Sequence, residues 1–82
     1  MQARSELLKR LDETKRQIKH GDNIIGAQQR AIASLLASGH DATLAEELLD
    51  AFEKSQEIRL TEMDRLLCAL DKIPLEDDVG SS

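Results

Sequence analysis

Leu11, Ile18, Ile25 and Ile32 follow one another at seven-residue steps, and the step runs unbroken through His20-Gly21-Asp22-Asn23. Taken alone, that segment reads as a turn, because Gly ends helices while Asp and Asn cap the next one. A turn would break the phase, since loop residues do not advance by the helical 100°. The preserved step therefore predicts one helix over about residues 4–38, roughly 50 Å long at 1.5 Å per residue. Leu7 or Leu8 begins the companion positions of the stripe, and Leu35 and Leu36 end them. Each interior glycine weakens a helix by about 1 kcal/mol relative to Ala. Gly21 falls on the inner face, where a missing side chain admits a neighbouring helix; Gly26 falls near the outer face, where the pattern gives no reason for it.

The break comes later, in "LASGHDATLAEELL". Gly39 is placed to follow the first helix in the left-handed conformation that a Cβ disfavours. Gly39, His40 and Asp41 form the hinge of a turn over 39–42. Thr43 followed by Glu46 has capping-box spacing, with Asp41 as a competing cap. A second helix then runs over about 43–73, with Glu46, Glu47 and Asp50 where the helix dipole favours negative charge. Pro74 stops it. The hairpin thus occupies residues 1–74, and the acidic "LEDDVGSS" over 75–82 is expected to be a disordered tail.

A short turn makes the two helices antiparallel neighbours, so the fold class is all-α, a coiled-coil-like two-helix hairpin. Pivoting at Gly39 and His40 pairs Ile32 with Leu48, Gln28 with Phe52, Ile25 with Ser55, Ile18 with Glu62 and Leu11 with Ala69. The ends of this pairing are apolar and its middle is a polar waist, where Thr14, Lys15, Gly21, Asp22 and Gln28 face Ser55, Arg59 and Glu62. Asp22 with Arg59 is the expected cross-helix pair, of small net energy but able to set register. Helix two carries more apolar surface than one neighbour can cover. Leu48, Ala51, Ile58, Leu66, Ala69 and Ile73 form one stripe, and Leu49, Phe52, Leu60, Met63, Leu67 and Leu70 form another. Helix one adds Ile24, Ala27, Ala31 and Leu35 beside its main seam. Two hairpins packed as an antiparallel four-helix bundle would cover both stripes, which makes a homodimer the expected partner arrangement. The expected oligomer interface comprises Ile18, Ile24, Ile25 and Ile32 with Leu49, Phe52, Leu60, Met63, Leu67 and Leu70.

Composition agrees with helices that need company. The chain has 82 residues, one aromatic residue (Phe52), one proline and one cysteine. A domain of that size buries only about 60% of its unfolded surface, and a lone Cys68 offers neither an internal disulfide nor a thiolate metal site. The start "MQARSELLKR" places charge where a signal peptide has its apolar run, and no stretch approaches the roughly 20 apolar residues of a membrane span. The expectation is a cytoplasmic protein with no membrane contact. Arg4, Lys9, Arg10, Lys15, Arg16 and Lys19 make the start basic, while the chain from Asp41 onward is acidic and the net charge is −5. Antiparallel pairing neutralises these internally. A nucleic-acid role for the basic start is a distant third reading, opposed by the adjacent acidic helix and the lack of stacking aromatics.

No constellation points to catalysis. A Ser–His–acid set, a phosphate-cradling glycine loop and a pocketed pair of carboxylates are all missing from the pattern, so the chain reads as no enzyme, without catalytic residues, cofactor, metal or small-molecule substrate. His20 stands near Asp22, Glu57 and Glu62, yet without the Glu-x-x-His spacing of metal-binding bundles; a solvated histidine is the plainer reading. Asp64 and Asp71 flank Cys68 and disfavour its thiolate. Met63 reads as core filler. The functional expectation is a non-enzymatic protein–protein interaction module that self-associates. Its alternative is a small regulatory subunit whose spare stripe receives a heterologous partner helix.

Gly21, Ile25, Gln28, Leu35, Gly39-His40-Asp41, Ala45, Leu48-Leu49, Phe52-Glu53, Gln56 and Asp64-Arg65-Leu66 form a pattern over the middle two thirds of the chain. In this it resembles a group of short, uncharacterised bacterial proteins with a Gly-His-Asp hinge. Members of that group often carry His where this chain has Ile24 and Arg59. The resemblance implies a helical hairpin and no particular activity.

Overall fold

A computed structural model describes residues 2–73, which form two α-helices, α1 (Gln2–Ala37) and α2 (Thr43–Lys72). The expected tail over 75–82 lies outside the described residues, as does Pro74. The helices pack along their lengths into a rod of 65 × 14 × 13 Å, two helices wide and one thick.

Helix α1 passes through Gly21 and Gly26 without interruption, as the seven-residue step requires. Its end is set by Gly39, which takes φ 75° and is the positive-φ residue of the turn. Around it His40 N–H donates to Leu35 O at 2.8 Å and Gly39 N–H donates to Leu36 O at 3.0 Å. This crossed pair is the Schellman arrangement, which satisfies carbonyls that the last helical turn leaves open.

The start of α2 differs from the capping box expected of Thr43 and Glu46. Thr43 already lies inside the helix, and Ala42, which precedes it, has no side-chain cap. Ala42 O instead accepts the first helical bond, from Glu46 N–H at 2.9 Å. Asp41 takes over the capping task from one residue further back. Its Oδ1 accepts from Thr43 N–H at 3.0 Å and from Thr43 Oγ1 at 2.6 Å, an Asx-turn that shapes the entry. The far end closes with Ile73 N–H donating to Leu70 O, and Ile73 itself is extended at φ −87°, ψ 119°. That is the conformation to which the residue before a proline is restricted.

Among the residues that lose exposure along α1, Leu7, Leu11, Thr14, Ile18, Gly21, Ile25, Gln28, Ile32 and Leu35 are spaced alternately by four and three, with Arg4, Ile24 and Gly26 beside them. From Ala42 through α2 to Ile73 the corresponding line is Ala42, Ala45, Leu49, Phe52, Gln56, Arg59, Met63, Leu66, Leu70 and Ile73, on the same spacing, with Glu62 and Ala69 beside it. Such a stride keeps one line of each helix against its neighbour. The α1 line is the one expected. The α2 line is so in part: Leu66, Ala69 and Ile73 of the first expected stripe lose exposure, but Leu48, Ala51 and Ile58 of that stripe are exposed, and Leu49, Phe52, Met63 and Leu70 of the other stripe are half-buried. The register differs too, since Gly21 sits against Gln56 where the pivot placed it nearer Arg59. The displacement is three residues, close to one helical turn, and it brings Gln56 rather than Arg59 to the waist.

Candidate interaction surface

At the waist, Gln56 enters the seam opposite Gly21 and is only 6% exposed. Its Nε2 donates to Ile18 O at 2.7 Å and to Asp22 Oδ1 at 2.8 Å. Both partners are acceptors, which fixes which end of the amide faces them. A Cβ built on Gly21 would lie 2.9 Å from Gln56 Cδ and would overlap its Oε1, so glycine is what makes room for this side chain. The Oε1 is buried and has no hydrogen-bond partner. About two turns nearer the hinge, Gln28 Nε2 donates to Ala45 O at 2.9 Å. The waist is therefore polar, as expected, but its centre is Gln56, which sequence reasoning passed over. The missed signal was the four-and-three stride of α2, in which Gln56 occupies a seam position between Phe52 and Met63.

The expected Asp22–Arg59 pair does not form; across the helices Asp22 Oδ1 accepts from Gln56 Nε2 instead. Arg59 is half-buried and lines a shallow depression with Glu13, Arg16, Gln17 and His20. Charge does cross the helices elsewhere: Arg10 donates to Glu62 at 3.0 Å, joining the basic start of α1 to α2. Asp12 with Arg16 and Asp50 with Lys54 are pairs within one helix, four residues apart. All three are exposed enough to be worth only a fraction of a kcal/mol each, about 0.3–0.5 for the helical ones.

Two groups emerge from the ten residues expected at an oligomer interface. Ile18, Ile25, Ile32, Leu49, Phe52, Met63 and Leu70 line the seam within the hairpin and are half-buried there. Ile24 is half-buried beside it. Leu60 and Leu67 remain 41% and 45% exposed. The surface of α2 also presents Leu44 and Leu48, together with Ile58, which is 71% exposed. By contrast, the most buried apolar residues among those described are Leu11, Ala42 and Leu66.

Polar chemistry on this surface is sparse. Asp41 is held below the usual carboxylate range by the hydrogen bonds from the Thr43 hydroxyl and then from the Thr43 backbone N–H. His20, His40 and Cys68 are exposed. Among the described residues no three His, Cys, Asp or Glu side chains come together as metal ligands, and no helix is long and apolar enough to cross a membrane. Comparison with family models, with curated proteins and with solved structures gives no match. The surface must therefore be read from its own residues.

Proposed function

We propose that this hairpin is a non-enzymatic protein–protein interaction module of the cytoplasm that self-associates, in coiled-coil fashion, into a four-helix bundle dimer. The observation that carries the reading is an imbalance of burial. Among the described residues the two-helix rod buries the apolar side chains of Leu11, Ala42 and Leu66 to 3–7% exposure while leaving Leu8, Leu36, Leu44, Leu48, Ile58, Leu60 and Leu67 exposed. Stable domains pack at least two layers around a core, and exposed apolar patches of this kind mark sites of association. A second hairpin supplies the missing layer without any further component.

Light scattering on the full chain at micromolar concentration tests this. The expected particle has twice the 9.1 kDa mass of the chain and a helical circular dichroism spectrum. A well-folded particle of single-chain mass would overturn the reading. A single-chain particle that gains helicity only when another protein's amphipathic helix is added would replace it with the regulatory-subunit reading.

A further inference from the structure

Helix α2 carries a second stripe that the seam with α1 leaves exposed. Leu44, Leu48, Ala51, Ser55 and Ile58 repeat the four-and-three spacing of the seam but lie roughly 100° further round the helix, and all five are exposed. No charged residue interrupts them. Glu46 and Glu53 stand on the opposite side of α2 by helix periodicity, whereas Asp50 reaches Lys54 at the border of the stripe and Glu57 lies beside Ile58. Glu47 and Lys54 border its outer edge, seven residues apart and opposite in sign.

That border selects a partner. A parallel pairing of two such stripes puts the Glu47–Lys54 edge of each copy on opposite sides of the interface, so these residues meet neither each other nor their equivalents. An antiparallel pairing about a two-fold axis close to Ala51 sets Glu47 of each copy against Lys54 of the other, and symmetry makes the pair twice. The small residues Ala51 and Ser55 then lie near the crossing, where Leu48 of the second copy can settle beside Ser55 while Leu44 meets Ile58. We propose that the stripe Leu44-Leu48-Ala51-Ser55-Ile58 is the homodimer contact, with α2 packed antiparallel on α2 of a second copy and flanked by two Glu47–Lys54 pairs. This rests on the self-association proposed above and specifies its face, against the alternative face around Leu60 and Leu67.

Charge reversal tests it in the full chain. Glu47→Lys and Lys54→Glu should each weaken the homodimer, roughly tenfold from two lost and two repulsive pairs, with helicity unchanged. Mixed one to one, the two variants should form a heterodimer of wild-type strength, because position 47 of each chain then faces the opposite charge at position 54 of the other. Independently, Ala51→Cys on a Cys68→Ser background should give a disulfide-linked dimer under mild oxidation, and Leu67→Cys on that background should not. A dimer indifferent to both charge variants, or one that cross-links at Leu67 and not at Ala51, overturns this placement while leaving self-association intact. A wild-type chain that scatters as a folded monomer overturns both.

Discussion

Two glycines in the same helix have opposite reasons for being there. Replacing either by alanine offers α1 the same gain, about 1 kcal/mol. At Gly26 the new Cβ would meet only Arg30 Nη1, at an ordinary 3.5 Å, so Gly26→Ala should raise stability by nearly that full amount. At Gly21 it would meet the amide of Gln56, which cannot withdraw without giving up both its hydrogen bonds. Overpacking of this kind costs about 1–3 kcal/mol, so Gly21→Ala should come out destabilising by about 1 kcal/mol. Urea unfolding followed by circular dichroism reads both, and a shared sign would contradict the packing at the waist. Gln56 itself holds an unpartnered buried oxygen. Gln56→Met keeps the volume and removes that oxygen, and should stabilise by about 1 kcal/mol; a lower urea midpoint would show that the two donated bonds outweigh it.

At the scale of the element, the entry to α2 depends on one carboxylate. Hydrogen bonds from Thr43 lower the pKa of Asp41 in the folded chain, so its contribution is present above the unfolded value, about 3.9, and is lost as pH falls through the lower folded value. The protection factor of amides at the start of α2, which corrects for the intrinsic pH dependence of exchange, should fall on acidification below about pH 4. Asp41→Asn retains the accepting oxygen and should remove that component; an unaltered acid response in the variant would assign it elsewhere. The end of α1 was legible in advance because Gly39 is a conformational requirement local to a few residues. Uninterrupted passage through Gly21 was legible because Leu11, Ile18, Ile25 and Ile32 keep phase on both sides. The facing side of α2 was legible only in part, for a physical reason. Two apolar stripes about a quarter turn apart are equally greasy, and the observed seam goes with Gln56 seated against Gly21, a fit between distant residues that periodicity does not encode.

For the whole molecule, stability and assembly should be inseparable. A hairpin with few buried side chains gains its second layer by mass action, so its thermal midpoint should rise with protein concentration. Midpoints taken from about 1 to 100 μM would show this as an upward trend, and a flat line would mean that the single rod is already complete. The pairing of Arg10 with Glu62 belongs to the same scale, because it holds the basic beginning of α1 against the latter half of α2.

Arg4 and Ile73 line one depression, so the start of α1 and the end of α2 share one pole of the rod. Tension applied between these two points would act like fingers on a zipper, parting the helices pair by pair from that pole. Resistance would climb where Gln56 grips Ile18 and Asp22, and the remaining stretch toward Gly39 would then open in one release.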